Sequence, residues 1–328
     1  MATVRLADVI VPETFTKYQV QNSVEKTDFW KSGALLNNAA IQEQLTAGAN
    51  SFTIPYWLDL ANTEADIAND DPDQFSTPGK IGSGKQIVRK AYLHSSWSTM
   101  NLASELSGDD AANRIQDRVA SYWGKQWQRR AIATLNGVLA NNIADNNGDM
   151  VLDITKLTGE KAKFSATAVI DCAQTMGDAA DGLVGICMHS DTYSVALKAD
   201  LIEFVKDSAG RPIRTYRGLF IVVDDSMPRD DGEYVTTLVG FGALGFGISE
   251  PRIAPGTEIE NIPGAGNGGG QIILHSRFNV GIQPLGFSWL ETNVEGESPT
   301  LAEVALPVNW KRVAERKAVP LAFLVHRL

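Results

Sequence analysis

A repeat of apolar residues at every fourth position is the strongest pattern in this chain. It extends through residues 108–145, where no proline interrupts it. The repeating residues are Ile115, Val119, Trp123, Trp127, Ala131, Leu135, Leu139 and Ile143. Asp109 and Asp110 precede the repeat as candidate N-terminal caps, and an Asn-Asn-Gly sequence at 146–148 follows it as a stop. The pattern predicts a helix over 108–145, roughly 50 Å long at about 1.5 Å per residue.

The four-residue repeat does not match the ~3.6 residues of an α-helical turn, so its apolar stripe winds round the helix. Such a helix buries different faces along its length and must contact different neighbours. We therefore expect a strut that crosses a sheet and a second layer or another chain, with an ordinary core helix as the alternative. Gly124 and Gly137, each costing about 1 kcal/mol relative to alanine, indicate close approach by a neighbour. Trp123 and Trp127 are expected to bury against the chain's own sheet, while part of the polar face meets a neighbour.

Two alternating segments before the helix predict a long β-arm. Residues 51–59 place Phe52, Ile54, Tyr56 and Leu58 on one side of a strand, and residues 86–99 alternate again. The connection between them, some 25 residues long, is acidic and rich in Gly and Pro. Because an unstructured loop of this length is unusual in a compact domain, it indicates an interaction element. Residues 1–50 are too sparse in apolar residues for a core of their own, and we expect either an extended arm or a surface-packed segment.

The part of the chain after the long helix predicts a compact α+β domain over about 160–245. The individual predictions are a strand in VLDI, a helix in KFSATAVIDCAQTMGDAA, a buried strand in GLVGICMHS, a helix in DTYSVALKADLIEFV and a hairpin over 219–242 around a turn at 227–232. Residues 252–270 read as a Gly/Pro-rich excursion, and residues 271–290 as two strands hinged between Gly281 and Gly286. The tail predicts a short helix capped by Ser298 or Thr300 and a final strand from Val319 to Val325.

Composition narrows the class of protein. The chain has 328 residues and a net charge of −10, which argues against a general nucleic-acid binder but leaves open a protein that surrounds nucleic acid. Two cysteines, Cys172 and Cys187, are too few for a disulfide framework or a zinc site, and they favour a reducing compartment. The sequence contains no signal-peptide pattern and no apolar run approaching ~20 residues, so we expect a soluble protein without a membrane partner.

Several short motifs imitate chemical sites, and each is better explained by local structure. Gly79–Lys85 has phosphate-loop spacing, but a β-pattern follows it and Gln86 stands where the magnesium-binding Ser or Thr belongs. Asp145, Asn147 and Asp149 resemble the start of a calcium loop, but Met150 and Lys156 stand where its glycine and its bidentate glutamate belong. The adjacent residues His189, Ser190 and Asp191 are of the types found in a catalytic triad, and Asp224 and Asp225 are a pair at a strand end. The four histidines are scattered without metal-ligand spacing; they are His94, His189, His275 and His326. We therefore assign no catalytic, cofactor-binding or metal-binding residue and expect a protein that is not an enzyme.

Four stretches carry a resemblance to a known family. They are GDDAANRIQDRVASYWGKQWQRRAIATLNGV, LTAGANSFTIPYWLDL, DSAGRPIRTYRGLFIVVDDSMP followed by DGEYVTTLVGFGALGFG, and SPTLAEVALPVNWKRVAERKAVPLAFLVHRL. In order, they resemble the spine-helix entry, the approach to the extended loop, the axial-domain hairpin and the C-terminal pattern of the major capsid proteins of tailed bacteriophages. The similarity extends over essentially the whole chain. It implies the α+β fold named after phage Hong Kong 97.

The resemblance also implies a division of the chain into capsid-protein parts. These would be an N-terminal arm at 1–50, an extended β-loop at 51–99, a peripheral domain at 100–159 with the spine helix at 108–145, an axial domain at 160–245, returning peripheral strands and loop at 246–297, and a C-terminal helix and strand at 298–328 that rejoins the axial domain.

The function that the resemblance implies is that of a structural subunit, which self-assembles as hexamers and pentamers into an icosahedral shell around phage double-stranded DNA. The shell would contact DNA without sequence specificity, and assembly would occur in the bacterial cytoplasm before the protein resides in the virion. A portal, decoration proteins and a separate scaffolding protein are the expected partners, the last because the chain begins directly at the arm. The alternatives are an encapsulin-like nanocompartment shell and, less favoured, a soluble α+β nucleotide-binding enzyme.

Some relatives form a Lys–Asn isopeptide bond between the extended loop and a neighbour. The resemblance would place Lys80 or Lys85 opposite Asn309 for such a bond. No catalytic glutamate matches the family's pattern, so the crosslink is not expected.

Overall fold

The computed structural model describes residues 35–61, 63–68, 70–71, 73, 75–206 and 212–328, which form two main sheets joined by one long helix. The helices are α1 (Ala39–Leu45), α2 (Asn101–Ser107), α3 (Ala111–Asp145), α4 (Ala166–Ala173), α5 (Ser190–Lys198) and α6 (Leu301–Val304), with 3₁₀ segments at Gly159–Ala162, Gln174–Gly182, Pro307–Asn309 and Arg316–Ala318. The strands are β1 (Leu35–Asn37), β2 (Ser51–Trp57), β3 (Ser83–Arg89), β4 (Ala91–Met100), β5 (Val151–Asp153), β6 (Leu183–Met188), β7 (Glu203–Lys206), β8 (Pro212–Tyr216), β9 (Leu219–Val223), β10 (Arg229–Asp230), β11 (Glu233–Gly240), β12 (Leu244–Ser249), β13 (Thr257–Ile262), β14 (Gln271–Pro284), β15 (Phe287–Trp289), β16 (Trp310–Arg312) and β17 (Leu321–His326).

The long predicted helix is present as α3, 35 residues in length. The carboxylate of Asp110 accepts hydrogen bonds from the backbone N–H groups of Ala112 and Asn113, so Asp110 is the N-cap. Asp109 instead forms an ion pair with Arg114 at 3.1 Å. The helix ends where Asn147 and Gly148 adopt positive φ angles of 53° and 67°. The predicted stop is therefore confirmed, and the start lies three residues later than predicted.

The middle of α3 is enclosed on every side. Six consecutive residues, 130–135, are all buried, whereas an amphipathic surface helix would expose at least one side of each turn. Nearer the ends the apolar stripe leaves the core, because Val119 is only half-buried and Ile143 is exposed. The winding stripe thus produces the predicted change of neighbours along the helix.

The predicted burial of the two helix tryptophans against the chain's own sheet is confirmed. The indole of Trp123 is 3% exposed, donates a hydrogen bond to Ser276 Oγ at 2.9 Å and packs edge-to-face on Phe278 of β14. Trp127 packs on Phe278 and on Phe246 of β12.

The smaller main sheet is built around β14. Strands β13 and β12 pair with successive parts of one edge of β14, and β4 pairs along the other edge. Residues 271–284 therefore form one strand that runs through Gly281, and the predicted hinge occurs only at Gly286, where φ is +80°. Part of the predicted excursion, 257–262, is the edge strand β13. The pairing of β14 with β12 runs through Gly281 to Pro284, which explains why β14 continues through the glycine.

The N-terminal part that the structure describes packs on this sheet. Strand β1 pairs parallel to β12, and Ile41 and Leu45 of α1 are each 1% exposed. Gly247 and Gly281 lie directly beneath α1, where a Cβ would press on Ile41. The rest of the predicted arm, 1–34, lies outside the described residues.

The larger sheet has the strand order β5-β17-β11-β6-β9-β8-β7. The predicted hairpin over 219–242 is wrong, because β6 lies between its two arms, parallel to β9 and antiparallel to β11. Burial of β6 explains the difference, since a strand inside the core needs hydrogen-bond partners on both edges. The turn residues at 227–232 instead lead through β10 into β11, with Asp231 and Gly232 at positive φ.

Two further boundaries differ from the predictions. The helix predicted over 191–205 ends at Lys198, after which Asp200 adopts a φ of +55° and residues 203–206 form the edge strand β7. The strand predicted over 86–99 is divided at Lys90 into β3 and β4. In the tail, Thr300 caps α6 in a reciprocal capping box with Glu303, as predicted for one of the two candidates.

The larger sheet separates two apolar cores. Alternate residues of its central strands point to opposite faces. Cys187, Val239, Leu321 and Phe323 contribute to one core, with α3 and the smaller sheet, and Ile186, Met188, Leu238, Ala322 and Leu324 contribute to the other, with α4 and α5. No helix in the described ranges is both long and apolar enough to span a membrane.

Gly137 gives a direct test of the close approach on α3. A Cβ there would clash with the carbonyl oxygen of Val304 and the indole of Trp310, which donates to that oxygen at 2.7 Å. We expect Gly137→Ala to lower the free energy of unfolding by roughly 1–3 kcal/mol through overpacking, measured by denaturant unfolding of the unassembled chain. The control Ser121→Ala, at an exposed site of the same helix, should not destabilise. Equal stability of the Gly137→Ala variant would contradict the packing.

His326 gives a pH-dependent test of the second core. Its fully buried ring lies between Thr236 Oγ1 and the Arg327 carbonyl oxygen, and burial lowers its pKa to about 4 from 6.5. Between these values the unfolded chain binds a proton that the folded chain does not, so stability falls as the pH falls. Each pH unit between the two pKa values corresponds to about 1.4 kcal/mol. The free energy of unfolding therefore falls by roughly 3 kcal/mol from pH 7 to pH 4.

We expect His326→Gln to remove this part of the acid sensitivity, measured as the difference between unfolding free energies at neutral and acid pH. Leu324→Val, which loses a buried methylene on the same strand, serves as the control and should keep the wild-type pH dependence. An unchanged pH dependence in His326→Gln would show that the histidine does not titrate in this way.

Candidate assembly surface

The predicted β-arm is a hairpin of β2 and β3, which pair from Ser51 with Arg89 to Trp57 with Ser83. Phe52, Ile54 and Tyr56 are the half-buried positions of β2, which confirms the predicted alternation. Leu58 lies beyond the strand end, where its N–H donates to the carbonyl oxygen of Gly82, and its side chain is exposed. Residues 58–82 connect the two strands.

One face of the hairpin is fastened to the body of the protein. The Tyr56 hydroxyl donates to the carbonyl oxygen of Val313 at 2.9 Å, and the N–H of Ile87 donates to Ser288 Oγ at 3.0 Å. Both acceptors lie in or next to the small β15–β16 sheet, which in turn packs on α3. The hairpin is thus held at defined points on its own chain.

A pair of basic residues clamps the base of the hairpin where β3 passes into β4. Arg89 donates to the carbonyl oxygens of Asn50 and Glu297, and its Nε lies 2.9 Å from the Glu291 carboxylate. Lys90 is fully buried, and its Nζ donates to the Ala47 carbonyl oxygen at 2.6 Å. Burial lowers the pKa of Lys90, since the charged form loses hydration. This clamp was not predicted from the sequence, where its signal is an Arg-Lys pair that interrupts an alternating run.

The far end of the hairpin and its connection expose large apolar side chains. Ile67 and Phe75 are 86% and 87% exposed, and Trp57 is 72% exposed. Leu58, Leu60 and Ile81 are also exposed, and the carboxylates Glu64, Asp66, Asp70, Asp71 and Asp73 lie among them. None of the apolar residues belongs to either core. We call residues 57–82 the projecting segment. A run of exposed apolar residues rimmed by charge is typical of a protein–protein contact surface.

The structure places the rejected motifs in structural roles. Gly79–Lys85 runs from the projecting segment into β3, so a strand follows it in place of the helix that a phosphate loop needs. Asp149 forms an ion pair with Arg312 at 2.6 Å, and the carboxylate of Asp145 accepts a hydrogen bond from the amide of Asn141. Both interactions stabilise the C-terminal end of α3. Burial alone would raise the pKa of Asp149, but hydrogen bonds from Arg312 and Asn142 and the charges of Arg312 and Arg316 together lower it.

The other candidate residues also have structural roles. His189 caps α5, since its Nδ1 accepts from the N–H of Asp191, whose carboxylate binds Tyr234 and Arg229. Asp224 is buried and accepts from the amide of Gln128 on α3. Cys172 and Cys187 are fully buried, and burial raises both pKa values, that of Cys172 to about 12.

Two of the scattered histidines come together across strands. His94 Nε2 lies 3.1 Å from His275 Nδ1, and His275 Nε2 lies 3.1 Å from the Glu260 carboxylate. The three side chains form a hydrogen-bonded row across β4, β14 and β13. Burial first, then the charges of His275 and Arg277, lower the pKa of His94. Within the described residues no cluster of three or more His, Cys, Asp or Glu is arranged to hold a metal ion.

Comparison with known proteins identifies the family. A profile of the Gp13-like family, described as major capsid protein 13-like, matches residues 97–319. The major capsid protein of Bacillus phage SPP1 is 35% identical over 340 residues, covering 100% of this chain and 99% of that protein. The chain belongs to the Gp13-like major capsid protein family. It is therefore a structural capsid subunit and not an enzyme.

Solved capsid structures show the same fold. The capsid protein of Ralstonia phage GP4 superimposes with a TM-score of 0.60 at 11% identity, covering 84% of this chain and 92% of that one. The capsid asymmetric unit of cyanophage Pam1 gives a TM-score of 0.60 at 11% identity, with 96% of each chain covered. These similarities show the Hong Kong 97-type fold. The family match favours a phage capsid protein over the encapsulin-like and nucleotide-binding alternatives.

The hydrogen bond from Tyr56 tests how the hairpin of this capsid protein is held. A buried hydrogen bond contributes about 0.5–1.5 kcal/mol. We expect Tyr56→Phe to speed hydrogen exchange of the β2–β3 amides by up to about tenfold, read by mass spectrometry of the unassembled chain. Tyr193→Phe, on α5 beside the other core, is the control and should leave these amides unchanged. Unaltered exchange in Tyr56→Phe would mean that other contacts hold the hairpin.

Proposed function

We propose that residues 51–99 are the extended loop of this capsid protein and that the projecting segment, its far end, lies over a neighbouring copy in hexamers and pentamers. The observation that carries the proposal is the near-complete exposure of Ile67 and Phe75 on a hairpin whose base is clamped. A hairpin with a fixed base and an exposed apolar end is suited to bind a partner, because little conformational entropy of the base is lost on binding.

Each contact of this kind is modest by itself. Burial of a large apolar side chain contributes about 1.5–3 kcal/mol, so several of them on one arm give several kcal/mol before the entropy of ordering is subtracted. In a closed shell each subunit makes such contacts with more than one neighbour, so the assembly is stable although individual interfaces are weak.

We assign the remaining parts by the same reasoning. The smaller sheet with α3 corresponds to the peripheral domain, drawn from 100–159 and 246–297. The larger sheet with α4 and α5 corresponds to the axial domain of 160–245, and this sheet also includes β5 of the 100–159 range and β17 of the 298–328 tail. Residues 1–50 are the N-terminal arm. The exposed N-terminal half of α3 supplies part of its polar face to a neighbour.

The shell is proposed to enclose double-stranded DNA without sequence-specific contacts. A net charge of −10 supports a container that does not bind its cargo strongly, because tight DNA binding needs many Lys or Arg contacts to phosphates. Assembly is proposed to take place in the host cytoplasm, with a scaffolding protein, a portal and decoration proteins. The two buried free thiols are compatible with a reducing compartment.

We propose that the shell is held by non-covalent contacts. Asn309, the residue considered for an isopeptide bond, is fully buried. Its amide donates to the carbonyl oxygens of Asn293 and Glu303 at 3.0 and 2.8 Å, and its Oδ1 accepts from the N–H of Asn293. A lysine of a neighbouring copy has no route to this side chain.

Substitution of the two most exposed apolar residues of the segment tests the proposal. Because Ile67 and Phe75 are outside both cores, Ile67→Ser with Phe75→Ser should keep the wild-type unfolding midpoint. We expect the yield of closed shells, counted by electron microscopy and light scattering, to fall at least tenfold. Thr77→Ala, at an exposed position of the same segment, is the control and should assemble normally.

The possible outcomes separate two questions. Normal shells from the double variant would show that the segment is not the arm that joins neighbours, while the capsid function would stand. Failure of the unsubstituted chain to form any large particle, with every assembly partner supplied, would instead count against the assembly scheme as a whole.

A further inference from the structure

A small, partly open cavity lies where the long helix, the base of the hairpin and the C-terminal part of the chain meet. Its volume is about 20 Å³, and a single water needs roughly 10–15 Å³ by the same measure. The lining residues that matter are Arg89, Arg130, Thr134, Trp289 and Pro299. They come from β3, α3, β15 and the segment before α6, so one small ligand here would touch several elements at once.

Hydrogen-bond donors predominate among the polar side chains of the lining residues. Arg130 is 8% exposed and donates to the carbonyl oxygen of Pro299 at 2.9 Å. The indole N–H of Trp289, a residue 2% exposed, has no acceptor in the part of the chain that the structure describes. Guanidinium and indole groups can only donate. Thr134 is the one hydroxyl among the described lining residues, and it already donates to the Arg130 carbonyl oxygen at 3.0 Å.

The charges around the cavity do not balance. The guanidinium of Arg89 is paired with Glu291, whose side chain is 43% exposed at the rim. Arg130 forms no ion pair among the described residues, and the cavity lining that they provide includes no Asp or Glu. A buried guanidinium without a counter-charge is strongly destabilising. Burial lowers the pKa of Arg130 to about 10, which leaves the group protonated at neutral pH.

We propose that this cavity binds one small monovalent anion of the chloride type. A water molecule would accept only two of the available N–H groups and would leave the charge of Arg130 uncompensated. A halide accepts several N–H donors together and neutralises one cation. Its size suits a cavity that holds little more than a single water. Bound there, it fastens the hairpin base to α3 and to the β15–β16 sheet.

Bromide diffraction tests the site directly. Crystals of the full chain grown in bromide in place of chloride should show an anomalous peak inside the cavity, bonded to Arg130 and to Trp289 Nε1. A map without that peak, with an ordered water in the cavity, would overturn the proposal.

Thermal unfolding provides the second test. At matched ionic strength, the unfolding midpoint of the unassembled chain should be several degrees higher in sodium chloride than in sodium gluconate, because a ligand that binds only the folded state stabilises it. Arg130→Met and Trp289→Phe should each lose most of this difference. Arg118→Met, at a half-buried position of the same helix away from the cavity, is the matched control and should keep it.

Trp289→Phe keeps an aromatic ring against Trp310 and removes only the N–H donor, so it remains informative if Arg130→Met does not fold. Equal midpoints in the two salts for the wild type, or a full chloride response in Trp289→Phe, would each contradict the anion site.

Discussion

Complete burial of the middle of α3 is the constraint on which the rest of this capsid protein depends. A helix that is covered on all sides must have a partner for each face. Strand β14 covers one side through Trp123, while α6 and Trp310 come close enough on another to require Gly137. Polar residues in the same region must then find partners inside the core. Asn141 therefore donates to the carbonyl oxygen of Trp310, and Asn142 binds Asp149 and the N–H of Met150.

The larger sheet is likewise buried on both faces, and its second face borders the second core. Its central strands β6, β11 and β17 are buried on both faces, so each alternate residue belongs to a different core. The final strand reaches this sheet only after the chain has passed along α3 through β15, α6 and β16. Its pairing with both β5 and β11 links the residues directly after α3 to the last residues of the chain. Because β6, β11 and β17 contribute residues to both cores, a change of packing in one core bears directly on the strands that line the other.

The sequence predicted features whose cause is local and missed those whose cause is long-range. The helix, its Asp110 cap, the β2–β3 hairpin and the Thr300 cap follow from periodicity and from residues within one turn of each other. The insertion of β6 between β9 and β11 does not, because adjacent segments favour a hairpin until the burial of a third strand is known. The contact of His94 with His275 and the donors around the Arg130 cavity join residues far apart in the chain. The four-residue repeat was the exception. Because it does not match the helical turn, it predicted from a local pattern that α3 would contact different neighbours along its length.

The clamp at Arg89 and Lys90 explains how one chain can combine a stable fold with an uncovered apolar arm. An arm that was loose along its whole length would lose a large conformational entropy on docking. Here β2 and β3 are already paired, and their base is fixed by buried cations bonded to carbonyl oxygens of residues 47, 50 and 297. Under the docking that we propose, the ordering cost of the hairpin base is thus borne when the subunit folds, and only the projecting segment adds to it at the interface. In the proposed arm contact, the carboxylates around Ile67 and Phe75 hydrate the exposed segment before docking, and the apolar side chains of the arm are left to be buried in the shell.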